Sequence, residues 1–213
     1  MITKRKTKKR LASVVGLAFA DGHMRACHVT RAKGVNEVVK AASAALTLDI
    51  LHPDSELVGR EIKNHLDAAG IRERQCVGAL PASWVMSQHT LVPELAPEDA
   101  NSFLQIEAEK GFPCDPSQLQ IARSFHRSAG AAYVTQLAVR KDQLEQLAGA
   151  LKAAGLKVVS FSLGLAALPE VIAPAGKGRI TVAVEPKGAA LLISVGGGIV
   201  ALRTCEASVE SEV

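Results

Sequence analysis

The chain has 213 residues, 48% of them apolar and 22% charged, which fits one globular domain or two small ones. A core of that size needs no disulfide or metal staple, so a disulfide-knotted scaffold, a collagen-like repeat and a wholly disordered chain are excluded. The net charge of +4 is concentrated at one end: Lys4, Arg5, Lys6, Lys8, Lys9 and Arg10 supply six of the 25 basic residues, and acids outnumber bases in the rest. Nucleic-acid binders carry positive charge on a folded face and use aromatic platforms for single strands. Here the charge lies in a tail and aromatics make up 3%, so no nucleic-acid partner is expected. Residues 1–10 are expected to be a disordered basic tail. Its six charges suit peripheral contact with anionic lipid at about 1 kcal/mol each.

In chain order, Val14–Ala20, His23–Thr30 and Val35–Leu48 read as consecutive strands with short turns, the last alanine-rich and partly compatible with helix. The stretch from Lys4 to Ala20, ending Ala18-Phe19-Ala20, also has the form of a cleaved secretory signal. Asp21-Gly22 is a hairpin signal, however, and favours a buried first strand. Pro53-Asp54-Ser55 opens a helix that runs to about Gly70, with Val58, Ile62, Leu66 and Ala69 as its apolar stripe. Arg74–Leu80 and Trp84–Val92 are strands. A second helix starts at Pro97 with acids in its first turn and stops at Gly111-Phe112-Pro113. Gln118–His126 and Ala132–Arg140 form a hairpin around Ser128-Ala129-Gly130. A helix from about Lys141 to Ala154 follows, then a strand at Lys157–Ser162 and a short helix at Leu163–Leu168. Ile180–Val184, Ala189–Val195 and Ile199–Arg203 are the last strands, before an acidic tail over 206–213. This order predicts an α/β protein with a mixed sheet and an inserted small subdomain. Both ends of the folded region run apolar strand, glycine turn, apolar strand, a weak sign of duplication.

Catalytic motifs are missing. There is no G-x-S-x-G, no Walker A sequence, no G-x-G-x-x-G after a strand and no H-E-x-x-H. Cys27, Cys76, Cys114 and Cys205 lack zinc-ligand spacing and read as reduced thiols. His23 and His28 read as surface or core residues. Glu107 and Glu109 point to different faces of one helix and make a poor acid–base pair. Two glycine turns remain as possible phosphate cradles: Ala20-Asp21-Gly22 and Glu185-Pro186-Lys187-Gly188. Ordinary hairpins use the same residues.

The middle of the chain carries a resemblance. Val77-Gly78-Ala79-Leu80-Pro81-Ala82-Ser83 is followed by Leu91–Leu95 with Pro93, Ile106-Glu107-Ala108-Glu109, Phe112-Pro113, Leu137-Ala138-Val139-Arg140-Lys141 and Ala154-Gly155-Leu156. In this order the segments resemble the PilM-type proteins of type IV pilus assembly. The resemblance covers about Val14 to Arg203 and implies an actin-like, ribonuclease-H-like first domain over 11–72. It further implies an inserted strand-strand-helix-strand-strand-helix subdomain over 73–156 and a return to the actin-like domain over 157–205 with a second phosphate-type hairpin. It implies a nucleotide site at Asp21, Gly22, Arg25, Glu185, Lys187 and Gly188, with Mg-ATP as the cofactor. The sequence departs from the pattern there. Ala18 and Ala20 stand at the first hairpin's Asp and Gly positions, and Glu185, Pro186 and Lys187 replace the second hairpin's usual residues. Loss of a carboxylate weakens a magnesium site, and proline removes an amide donor. The expectation is a protein without ATPase activity or cofactor. It would be a cytoplasmic scaffold peripheral to the inner membrane, binding the cytoplasmic tail of a single-span inner-membrane pilus assembly protein. The alternatives are an ATP-binding protein with altered phosphate loops and an exported protein.

Overall fold

The computed structural model describes residues 12–166, 178–185 and 188–206. Strands β1 (Ser13–Ala20), β2 (His23–Ala32) and β3 (Val35–Ala45) form an antiparallel meander. Helix α1 (Ser55–Ala68) follows, and β4 (Gln75–Ala79) then joins β1 in parallel. A short 3-10 turn at Ala82–Trp84 leads to β5 (Met86–Val92), α2 (Pro97–Gly111), β6 (Leu119–Ser128), β7 (Ala131–Arg140) and α3 (Lys141–Ala153). The chain closes with β8 (Lys157–Ser162), β9 (Arg179–Glu185), β10 (Gly188–Val195) and β11 (Gly198–Glu206). The six basic residues from Lys4 to Arg10 lie outside the described residues, as do Ala167 and Leu168 at the end of the expected helix at Leu163–Leu168, whose residues 164–166 are helical, and the tail beyond Glu206. Among the described residues no helix is long and apolar enough to cross a membrane.

Three sheets result, ordered β3-β2-β1-β4-β8, β5-β7-β6 and β11-β10-β9. The first is the ribonuclease-H-like order that the resemblance implies. Its core face presents Val15, Leu17 and Phe19 of β1 with Met24 and Ala26 of β2. On it lie α1, through Val58, Ile62 and Leu66, and α3, through Leu147, Ala150 and Leu151, all but fully buried. Asp54 caps α1 by accepting from the amides of Glu56 and Leu57, and Gly70, in the left-handed region, lets the chain leave. β1 is the central strand of this sheet, so cleavage after Ala20 would remove the middle of the core.

Two expected boundaries shift. The segment 73–156 does not form one inserted unit: β4 pairs between β1 and β8, and α3 packs on α1. What is inserted by strand pairing is the β5–β7 sheet with α2. Likewise β9–β11 do not extend the first sheet but form the third, which docks on the second. The alanine-rich third strand is strand throughout and ends at Ala45, short of Leu48, because the Leu46 amide turns to the Gly22 carbonyl.

The second sheet is sandwiched. Gln136, fully buried, donates to the Leu104 carbonyl of α2, while its neighbour Thr135 points to the other face and donates to the Val200 carbonyl of β11. The Thr135 hydroxyl therefore accepts from His89 Nδ1, 2.9 Å away. The His89, His126 and Tyr133 rings lie nearly parallel beside it, with centroids 5.2 Å apart. Burial, and then the neighbouring His126, hold the His89 pKa below its ordinary value of 6.5. A base that resists protonation only when folded makes the unfolded state take up more protons, so stability falls as pH drops. Melting temperature is expected to decline from about pH 6.5 downward, and His89→Gln to flatten that decline. An unchanged pH profile in the variant would assign the acid sensitivity elsewhere.

All four cysteines are free thiols; Cys76 is buried in the first sheet, which pushes its pKa to about 11.

Candidate functional site

The β1–β2 turn, the loop after β3, the turn after β4 and the facing ends of β10 and β11 enclose a cleft of ≈ 590 Å³. That is a ligand-sized space. Asp21 (φ 50°) and Gly22 (φ 71°) occupy the two left-handed positions of the β1–β2 hairpin turn. The ring Nδ1–H of His23 donates to the Asp21 carbonyl at 3.0 Å. One carboxylate oxygen of Asp21, Oδ2, is buried and has no hydrogen-bond partner among the described residues.

Of the residues singled out from the sequence, Asp21, Gly22 and Gly188 come together on this cleft. Arg25 does not. It lies between the inward Met24 and Ala26, so strand alternation turns it to the face of the first sheet away from the helices, beside Ala18, Ala41 and Val77. Lys187 and the Glu185 side chain lie outside the described residues. Gly188 is a packing glycine: a Cβ there would sit 2.1 Å from the Cys205 carbonyl oxygen, so β11 itself demands it.

The sequence reading missed the apolar wall. Leu46, Leu48, Ile50 and Leu51 from the loop after β3, with Trp84, line the cleft. The loop is held from outside. Glu61 of α1 accepts from the Thr47 amide at 2.6 Å and the Thr47 hydroxyl at 2.8 Å, and from the Leu48 amide at 3.3 Å. Burial raises the Glu61 pKa, but these bonds and the nearby His65 outweigh it and hold the carboxyl below its ordinary range. Gln146 of α3 donates to the Leu51 carbonyl, and Asp49 accepts from the Leu51 amide at 2.7 Å. One signal was available: the Leu46-x-Leu48-x-Ile50 alternation continues past the strand, too apolar for a solvated loop.

The rim is acidic. Asp21, Asp49 and Glu206 line it, with His23 the one basic type among the described lining residues. Asp21 Oδ2 suits a cation. No lysine or arginine of the described lining faces a polyphosphate, and two further carboxylates would repel one. Apolar side chains and three carboxylates thus share the described lining of one cleft.

No family model matches the sequence, and no curated protein does. Among solved structures the chain is similar to the PilM–PilN type IV pilus biogenesis complex, with a TM-score of 0.76 and 20% identity over 94% of this chain and 63% of that one. It is also similar to the cytoplasmic domain of EpsL, an inner-membrane component of the type II secretion system of Vibrio cholerae. There the TM-score is 0.60 and the identity 16%, over 91% of this chain and 70% of that one. The chain thus spans about 63% of the length of the first of these. The protein has their mixed α/β, actin-like fold.

Proposed function

We infer that the chain is a non-catalytic adaptor in a type IV pilus or type II secretion type of assembly. Its cleft takes the cytoplasmic tail of a single-span inner-membrane protein. The observation that carries this reading is the cleft itself, lined by leucine, isoleucine and tryptophan side chains together with the carboxylates of Asp21, Asp49 and Glu206. Cytoplasmic segments next to a membrane span are rich in lysine and arginine, so an apolar tail with basic residues matches both surfaces. The likeness to a structure in which two pilus proteins form a complex supports the class of partner. The six basic residues from Lys4 to Arg10 add peripheral contact with the membrane surface on the same side. In this reading the protein works without nucleotide.

Trp84 is the chain's single tryptophan, so its fluorescence reports on the cleft directly. Titration with the synthetic tail of a candidate single-span partner is expected to give a saturable change at micromolar peptide. Trp84→Ala, followed by calorimetry, is expected to weaken binding about 30-fold, the scale of a buried aromatic anchor at about 2 kcal/mol. A change produced by Mg-ATP and not by peptide would replace this reading with nucleotide binding. No change with either would mean that the chain has the fold without this role.

A further inference from the structure

β1 ends on the cleft turn, Asp21-Gly22, and a basic surface gathers at its other end. The Arg31 amide donates to the Ala12 carbonyl at 2.8 Å, so the β2–β3 turn, with Arg31 and Lys33, lies beside the start of β1. β4 runs parallel to β1 with Cys76 level with Val15, which brings Arg72 and Arg74 of the α1–β4 connection to the same end. The Lys157 amide donates to the Arg74 carbonyl at 2.7 Å and adds the start of β8. All five side chains are exposed, and among the described residues none of them makes an ion pair. Lys33 (φ 50°) holds a left-handed turn position that Asn, Asp or Gly takes at less steric cost.

Two acids of this end are engaged within the chain. Asp67 pairs with Lys63, and Glu73 accepts from the Ser13 hydroxyl and from the Arg74 and Gln75 amides, both at 2.8 Å. Glu37 of β3 is exposed and offsets one charge. The cleft end is the reverse, with Asp21, Asp49 and Glu206 on its rim. Lys4 to Arg10 join the molecule at the basic end, because Arg10 precedes Ser13 by three residues. This end is made of a turn, a connection and strand starts, and α1 and α3 present their C-termini to it. It thus offers neither an aromatic platform nor a helix N-terminus, the usual means of holding a single strand or one phosphate. A plane of anionic headgroups requires neither.

We propose that the folded chain docks on an anionic bilayer through this end of the first sheet, with Arg31, Lys33, Arg72, Arg74 and Lys157 toward the headgroups. This goes beyond the contact supplied by the tail, and it does not rest on what the cleft binds. The cleft then faces away from the bilayer. β1 has eight residues, so about 26 Å separate its two ends at about 3.3 Å per residue. On the reading that the cleft takes a partner's tail, at least about eight extended residues must lie between the membrane span and the seated segment.

Cosedimentation of the full chain with phosphatidylcholine vesicles containing about 30% phosphatidylglycerol tests the proposal, with phosphatidylcholine alone as the blank. Binding is expected at about 0.05 M salt and loss at about 0.5 M, where the screening length falls to about 4 Å. Lys33→Gln/Arg72→Gln/Arg74→Gln is expected to weaken binding at least ~10-fold at unchanged melting temperature, with or without residues 2–10. Lys110→Gln/Arg127→Gln/Lys141→Gln removes the same charge elsewhere and is expected to leave binding within about twofold. Wild-type binding by the first triple variant overturns the proposal, and so does equal weakening by both. Loss of all binding on deleting residues 2–10 overturns it in favour of the tail alone. Tighter binding to a DNA oligonucleotide than to the vesicles overturns it in favour of nucleic acid. Trp84 fluorescence reads the cleft in every variant, so failure here and failure of the peptide reading are told apart.

Discussion

Leu147→Asp is expected to leave the protein without a cooperative unfolding transition. Leu147 sits at the middle of α3, fully buried against the residues of α1 and the central strand β1. Removing a buried leucine side chain costs about 2–5 kcal/mol in lost transfer energy and cavity. A carboxylate placed there has no cation within the cluster, whose members are all apolar, Val58, Ile62, Leu66 and Leu151 among them. It must ionise unpaired or take up a proton, and either adds several kcal/mol. The total is comparable with the roughly 5–15 kcal/mol that holds a domain together. The damage is expected in the first sheet, not in the inserted β5–β7 unit, because α3 packs on α1. Circular dichroism during a urea titration checks this. A sigmoidal transition at the wild-type midpoint would remove α3 from the core.

Gly59→Ala is expected to destabilise, although helix propensity alone predicts the reverse. In an isolated helix the change gains about 1 kcal/mol. In α1 the added Cβ would lie 2.5 Å from Ala153 Cβ, 2.7 Å from the Ala150 carbonyl oxygen and 2.8 Å from the Ala154 amide. Two of these are backbone atoms of α3 and its C-terminal cap, which cannot rotate away, so the helices must separate. Overpacking of this kind costs about 1–3 kcal/mol, and separation also loosens every leucine at the crossing. A net loss of about 2 kcal/mol is expected, a fall of roughly 4–8 °C in melting temperature for a chain of this size. Gly149→Ala is the control. There the Cβ meets only the Ser55 side chain, at 3.5 Å, so the propensity gain is expected to survive. Stabilisation by both substitutions would show that α1 and α3 do not cross at Gly59.

The amino-acid pattern alone was enough for the elements and their order. The Val58, Ile62, Leu66 spacing and the Asp54 and Gly70 ends marked α1, and the alternation around Asp21-Gly22 marked the first hairpin. These are local properties: periodicity, capping and turn geometry act within a few residues, and tertiary contacts here agree with them. The assignment of β4 and α3 was not local. A strand that reads as a buried run, such as Gln75–Ala79, fits the middle of any parallel sheet, and the choice of β1 and β8 as neighbours is made by long crossovers. The same limit applies to the cleft. Leu48, Trp84 and Glu206 are far apart in the chain, and only the docking of the third sheet on the second brings β10 and β11 opposite the β1–β2 turn.

Composition and motifs set the expectations about partners and chemistry, and the order of short segments pointed to the fold. Tertiary structure decided what each glycine and charge is for. Gly59 permits a helix crossing, Gly188 makes room for β11, and Arg25 faces away from the cleft. The reason is physical: secondary structure is selected by interactions between near neighbours, whereas a site is made by surfaces from separate elements closing on one another.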